Sequence, residues 1–88
     1  MRHDILLIDP KDNVGVALAD IAKGGRAGIS AGGEVEAADD IPMSHKIALK
    51  DIRAGEPVIK YGEEIGRARE DIPRGGWVHV HNLEIGEG

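Results

Sequence analysis

The 88-residue chain contains thirteen glycines and four prolines, so we expect one small domain, residues 1–88, with many tight turns. Its formal net charge of −5 argues against nucleic acid as a partner, because phosphate binding needs clustered Lys and Arg side chains. The absence of cysteine excludes disulfides and thiolate sites and favours a cytoplasmic location. A domain of this size buries a limited core, so association with a partner chain or a second copy is expected.

The first third of the chain predicts a hairpin followed by a loop. Residues 5–8 and 14–18 are apolar runs separated by a turn, which is typical of two paired strands. The first run is too short to cross a membrane, and nothing resembles a signal peptide. Residues 24–33 hold five glycines and predict a mobile loop, with binding of an anion by its amides as the weaker alternative. Residues 34–37 predict a short exposed strand.

A repeated phrase predicts corners in the chain. The pattern Asp-Ile-x-x-Gly occupies residues 51–55, recurs at residues 71–75, and has a weaker copy at residues 20–24. In each copy the Asp is expected to cap its own single turn, the Ile to enter the core, and the Gly to adopt a positive φ. Asp39 and Asp40, which lie outside these copies, are expected to be solvated.

The remaining elements predict a mostly β domain. Residues 58–61 and 65–69 form a predicted hairpin around the turn at residues 62–64, and residues 45–50 and 77–82 are predicted as flanking strands. No window of eleven residues shows helical periodicity. The expected architecture is therefore a compact set of short strands, hairpins and single-turn corners.

The segment Trp77-Val78-His79-Val80-His81-Asn82 is the main candidate for chemistry. In an extended strand Trp77, His79 and His81 share one face, and both imidazoles can reach one cation. His45 joins them if its strand lies alongside. Two or three imidazoles are a partial shell for Zn²⁺ or Fe²⁺, although no carboxylate is placed to complete it. The alternative is that the histidines are ordinary exposed strand residues.

Several phrases in order along the chain carry a family resemblance. They are Asp12-Asn13-Val14 with Val16-Ala17-Leu18, Ile41-Pro42, His45-Lys46-Ile47-Ala48-Leu49, Asp51-Ile52, Gly55, Val58-Ile59-Lys60-Tyr61-Gly62, Ile65-Gly66, Asp71-Ile72 and His79-Val80-His81-Asn82. With these phrases the chain resembles the small SAF-type (β-clip) domain. More narrowly, it resembles the amino-terminal module or separate small subunit of the altronate dehydratase family.

The resemblance implies a function. The family contains dehydratases of sugar acids such as altronate and galactarate, and a sulfolactate sulfo-lyase with a small and a large subunit. It implies a small accessory subunit, inactive alone, whose large catalytic dehydratase subunit is another polypeptide, and Fe²⁺ or Mn²⁺ in the assembled enzyme. Galactarate enzymes lack the His-x-His-Asn ending, so its presence favours the altronate or sulfolactate branch. It also implies that these histidines are not indispensable to the shared elimination.

The residues expected to act follow from this combined interpretation. We expect His79, His81 and His45 to be catalytic, with His79 and His81 also as metal ligands. Asn82, Lys46 and Asn13 are expected to contact substrate, against the simpler alternatives that Asn82 and Asn13 shape turns and that Lys46 faces solvent. Two other functions remain open: a non-catalytic module that binds a sugar acid or stabilises the large chain, and a free-standing metal-binding domain.

Overall fold

The computed structural model describes residues 3–85, in which strands, turns and corners account for the fold. The mostly β prediction is confirmed. Within this range no helix has the length and apolar character that a membrane span requires. The strands are β1 (Ile5–Leu6), β2 (Val14–Ala17), β3 (Arg26–Gly28), β4 (Glu34–Glu36), β5 (Lys46–Ala48), β6 (Pro57–Lys60), β7 (Glu63–Ala68), β8 (Trp77–Val78) and β9 (Leu83–Glu84).

Three small antiparallel sheets contain these strands. The four-stranded sheet has the order β1-β2-β5-β8, β3 pairs with β4, and the third sheet has the order β6-β7-β9. The predicted hairpins β1-β2 and β6-β7 are both present. In the four-stranded sheet Ile47 of β5 lies opposite Gly15 of β2 on one side and Trp77 of β8 on the other. Because Ile47 is fully buried, this register anchors β8 at the sheet edge.

The chain turns at four Asp-Ile corners rather than three, because residues 40–44 form a further copy. The corner isoleucines pair through their backbones, Ile21 with Ile41 and Ile52 with Ile72. This pairing sets each aspartate opposite the other corner's turn, so the expectation that each Asp caps its own turn is wrong. The Oδ1 atoms of Asp20, Asp40, Asp51 and Asp71 accept from the amides of Met43 (2.8 Å), Lys23 (2.9 Å), Arg74 (2.9 Å) and Ala54 (2.8 Å), respectively.

Two copies of one structural unit, offset by 31 residues, make up most of the domain. We define residues 17–47 as the first repeat and residues 48–78 as the second. Equivalent backbone bonds join Gly24 N to Ala37 O and Gly55 N to Ala68 O, both at 2.8 Å. The first core consists of Ile5, Ala17, Ile21, Ala27, Val35, Ala37, Ile41 and Ile47. The second core consists of Val14, Ala48, Ile52, Val58, Ala68, Ile72, Val78 and Leu83.

The two cores differ where Val35 of the first repeat is replaced by Gly66 in the second. A Cβ atom at Gly66 would lie 2.9 Å from Leu83 Cδ1 and 2.5 Å from the Glu84 carbonyl oxygen. The missing side chain therefore leaves room for β9, which pairs with β7 and inserts Leu83 where the first repeat has Val35. A turn at residues 79–82 connects β8 to β9.

Two segments differ from the sequence predictions. Residues 24–33 are not one mobile loop, because they contain β3, which pairs with β4 beyond the segment and buries Ala27. A single small apolar residue among glycines gives too weak a period-2 signal to reveal such a strand. Residues 77–82 are not one strand, because β8 ends at Val78 and residues 79–82 form the turn that leads to β9.

Candidate functional site

Three of the four histidines lie beside Trp77 at one edge of the four-stranded sheet. His45 immediately precedes β5, and Trp77 begins β8, which pairs with β5. His79 and His81 follow in the turn between β8 and β9. We call the side chains of His45, Trp77, His79 and His81 the histidine face. The sequence correctly places these side chains together, although the strand that was expected to align His79 and His81 ends before them.

The rings of the histidine face form a continuous cluster of contacts, in which one pair is stacked and three are tilted. The centroids of His45 and His79 lie 4.5 Å apart, and Trp77 is stacked on His79 with 5.4 Å between centroids and an interplanar angle of 8°. The ring centroids of His81 and Trp77 lie 4.8 Å apart, with an interplanar angle of 41°. His45 and His79 are half-buried, whereas His81 is exposed. The indole therefore joins all three imidazoles on an open surface.

Trp77 is held at both its ring and its backbone. Its indole Nε1–H donates to His45 Nδ1 at 3.0 Å, and its backbone amide donates to Asp39 Oδ2 at 3.0 Å. Asp39 is exposed as expected, but it also fixes β8. The sequence carries no signal for this role, because the two residues are separated by 38 positions.

Asn82 builds the turn that carries the histidines. It is 4% exposed, its Oδ1 accepts from the His79 amide at 3.0 Å, and its Nδ2 donates to the Trp77 carbonyl at 2.8 Å. The His79 carbonyl in turn accepts from the amide of Leu83 at 2.9 Å. Both ends of the Asn82 amide are thus engaged by the backbone, which favours the turn-forming alternative. Its expected contact with substrate stays a prediction.

Burial and neighbouring titratable groups lower the pKa of His79. Partial burial lowers the pKa of His79, and the nearby His45, Lys46 and His81 lower it further. Partial burial also lowers the pKa of Lys46, followed by repulsion from Lys60. The fold therefore favours the neutral imidazole of His79, which is the form that can accept a proton.

Asn13 and its neighbour Asp12 support the β6-β7 hairpin. Asn13 Oδ1 accepts from the Ile59 amide at 2.7 Å, and its Nδ2 donates to the Pro57 carbonyl at 2.9 Å, beside the register shift between β6 and β7. Asp12 is 3% exposed. Its carboxylate accepts from three amides, those of Asp9 (3.1 Å), Tyr61 (3.1 Å) and Gly62 (2.8 Å). The sequence indicated a local turn here and did not reveal this distant partner.

The histidine face does not form a metal site by itself. Among residues 3–85 no three His, Asp or Glu side chains are arranged to hold a metal ion. Nδ1 of His45 is already engaged by the indole Nε1–H of Trp77. The donors present therefore do not fit a complete Fe²⁺ or Mn²⁺ site.

Comparison with known families gives this surface a context. Residues 3–86 match the family described as the altronate/galactarate dehydratase SAF domain. The chain belongs to this family. The resemblance inferred from the sequence phrases is thereby confirmed, and the all-strand structure agrees with it.

Relatives within the family include parts of larger proteins and a small subunit. The chain is 47% identical to the altronate dehydratase of Bacillus subtilis (strain 168), over 88% of this chain and 15% of that protein. It is 48% identical to the altronate dehydratase of Escherichia coli (strain K12), over 81% and 14%. It is 38% identical to (2R)-sulfolactate sulfo-lyase subunit alpha of Chromohalobacter salexigens, over 96% of each chain. The chain thus spans about a seventh of the length of the two dehydratases but nearly the whole length of the sulfo-lyase subunit.

Proposed function

We propose that this chain is the small accessory subunit of a two-component lyase that removes water or sulfite from a hydroxylated carboxylic acid. It presents the histidine face and Lys46 at the edge of a substrate site that a large catalytic dehydratase subunit completes. The observation that carries the proposal is the histidine face, an open surface with three imidazoles and no complete metal set in the described range. The names of the relatives supply the reaction class and the candidate substrates, altronate and sulfolactate.

The charge of the surface supports an acidic substrate. The whole chain carries a formal charge of −5, yet Lys46 lies close enough to His79 to lower its pKa, and Lys60 lies close enough to Lys46 to repel it. The ion pairs within residues 3–85 join Arg26 to Glu34 and Arg67 to Glu64, so neither lysine is neutralised by a salt bridge. A substrate carboxylate supplies the missing negative charge, and Lys46 is the group we assign to bind it.

His79 has the protonation state that the elimination needs. Its neutral ring accepts the proton from the carbon beside the substrate carboxylate, and the C–H electron pair forms the carbon–carbon double bond. The leaving hydroxide or sulfite departs with the electrons of its own bond to carbon. A neutral imidazole at neutral pH follows from the lowered pKa of His79. The expected Fe²⁺ or Mn²⁺ of the assembled enzyme stays a prediction, and the proton transfer above does not depend on it.

Reconstitution with the large subunit tests this proposal. The isolated chain is expected to be inactive, and mixing it with the large partner and Fe²⁺ or Mn²⁺ should give turnover of altronate or sulfolactate. The double variant His79→Ala, His81→Ala should bind the partner with unchanged affinity while turnover falls by about 10²-fold or more. The matched control is His3→Ala, which removes a histidine outside the face. Full turnover of the double variant would remove the catalytic assignment.

A binding module without catalysis is the second candidate. Asn82 and Asn13 are bonded to the backbone, so among the three expected substrate contacts only the Lys46 ammonium has no hydrogen bond or ion pair within residues 3–85, which favours this candidate. Calorimetry separates the two functions. Binding of altronate or sulfolactate to the isolated chain, lost in Lys46→Met but kept in His79→Ala, supports recognition alone. Binding that requires the large subunit supports a shared site.

A further inference from the structure

The hydrogen bond between Trp77 and His45 determines where the proton of His45 lies. The indole Nε1–H can only donate, so His45 Nδ1, 3.0 Å away, must offer a lone pair. A protonated Nδ1 would place two N–H groups against each other. His45 in this geometry is therefore neutral, with its hydrogen on Nε2.

Both partners of this bond are held in place by the fold. The Trp77 backbone is fixed through Asp39 and Asn82, and its ring is stacked on His79. On the other side the His45 amide donates to the Pro42 carbonyl at 3.0 Å, and the His45 carbonyl accepts from the Ala17 amide at 2.9 Å. The His45 ring itself packs against Trp77 and His79, with centroid distances of 5.7 Å and 4.5 Å, respectively. The tautomer of His45 is therefore built into the scaffold.

We infer that Trp77 is a positioning residue that holds His45 as a hydrogen-bond donor, so that the imidazoles of the histidine face divide their roles. Resting on the proposed function, this assigns the Nε2–H of His45 to a substrate oxygen on which negative charge develops, and proton acceptance to His79. The assignment removes His45 as a general base, since Nδ1 is engaged and Nε2 carries hydrogen. It also removes His45 as a ligand of a metal ion, for the same reason.

The tautomer is measurable on the full 88-residue chain without substrate or partner. Long-range ¹H–¹⁵N spectra at neutral pH should show a protonated Nε2 and an unprotonated Nδ1 for His45. Trp77→Phe keeps an aromatic ring against His79 but removes the donor, so the His45 nitrogens should move toward a mixture of both tautomers. The wild-type indole Nε1–H resonance should also shift in His45→Ala. A protonated His45 Nδ1 in the wild type, or an unchanged pattern in Trp77→Phe, would overturn the inference.

The assembled enzyme tests the division of roles. Glutamine can place an N–H donor near the position of imidazole Nε2, so His45→Gln should keep turnover within about tenfold of wild type. His45→Ala should lower kcat by about 10²-fold, as the loss of one oxyanion donor typically does. The turnover of His79→Gln should fall as far as that of His79→Ala, because an amide does not accept the proton.

The two experiments fail in different ways. Equal loss in His45→Gln and His45→Ala overturns the donor role while leaving a catalytic histidine face intact. If no histidine variant lowers turnover, both the donor role and the proposed function are overturned, although the tautomer measured by NMR still stands. A wild-type His45 that carries its hydrogen on Nδ1 overturns the inference whatever the turnover shows.

Discussion

The first repeat uses Val35 to fill its core, whereas the second repeat has Gly66 at the same place and borrows Leu83 from β9. That one difference separates a closed two-stranded hairpin, β3-β4, from the three-stranded sheet β6-β7-β9. The segment that connects β8 to β9 then carries His79 and His81. The turn that carries these two histidines therefore leads directly into the strand that fills the space at Gly66.

The β3-β4 hairpin and the β6-β7 hairpin are also fixed to the rest of the domain by different side chains. Asp4 accepts from the Gly28 amide at 3.2 Å in the first repeat, and Asn13 takes the equivalent place against Ile59 in the second. Asn13 adds a second bond, from its Nδ2 to the Pro57 carbonyl. At this one position the second repeat thus has two side-chain hydrogen bonds where the first has one.

The largest expected effect comes from filling the space at Gly66. Gly66→Ala places a methyl group against the Glu84 carbonyl and the Leu83 side chain, so β9 must move away. We expect the free energy of unfolding to fall by more than about 3 kcal/mol, measured by urea denaturation, together with changed His79 and His81 NMR shifts.

The control for this variant is Gly55→Ala. That position has a φ of 86° but no atom within 4 Å of a built Cβ. It should lose only about 1–2 kcal/mol, the left-handed backbone strain, with unchanged histidine shifts. Equal losses in the two variants would show that β9 does not depend on Gly66.

The second largest effect is expected at Asn13, which holds the β6-β7 hairpin as Asp4 holds the β3-β4 hairpin. Asn13→Ala removes two bonds of 2.7 and 2.9 Å and leaves the Ile59 amide without its side-chain acceptor. We expect a loss of about 2 kcal/mol, against about 1 kcal/mol for Asp4→Ala, which removes one longer bond. Thermal unfolding of both variants measures the difference. Below the unfolding transition, KM of the assembled enzyme should be unchanged in Asn13→Ala, whereas a raised KM would support its expected contact with substrate.

Local sequence patterns revealed part of this architecture. The hairpins, the corner isoleucines and the clustering of the histidines with Trp77 follow from alternation and from the repeated Asp-Ile phrase. The fourth corner was hidden because Ser44 occupies the place of the glycine, with a φ of 74°. The reciprocal capping, the role of Asp39 and the support from Asp12 all join residues more than fifteen positions apart. Such contacts are set by how strands pair, and a single sequence contains no local signal for them.

A smaller effect is expected at the corner that lacks glycine. Ser44 has a φ of 74°, whereas Gly24, Gly55 and Gly75 occupy the equivalent positions with φ between 84° and 88°. Ser44→Gly should relieve left-handed strain but increase the entropy of the unfolded chain, leaving a net stabilisation of roughly 0.5 kcal/mol. Urea denaturation measures it. Gly24→Ser is the reverse change in the partner corner and should destabilise, so stabilisation by both substitutions would contradict the equivalence of the corners.

The pH dependence of the chain's stability follows in part from His79. The folded state lowers the pKa of His79 below the ordinary value of about 6.5 that it has in the unfolded chain. Its contribution to stability is therefore complete above about pH 6.5 and is lost as the pH falls toward the folded-state pKa. Stability measured by urea denaturation should decline over this window in the wild type. His79→Gln should flatten this part of the profile, and the same slope in both proteins would contradict the assignment.

Lys46→Met provides the finest test, because it removes one cation from the surroundings of His79 without altering any ring of the histidine face. The pKa of His79 should rise toward its ordinary value, measured by NMR titration of its ring protons. Lys60→Met is the matched control, because Lys60 lowers the pKa of Lys46 and is not among the groups that lower the pKa of His79. It should raise the pKa of Lys46 and leave the His79 titration unchanged. If both variants shift His79 equally, the two lysines act as one diffuse positive surface, and Lys46 loses its distinct place beside the proposed base.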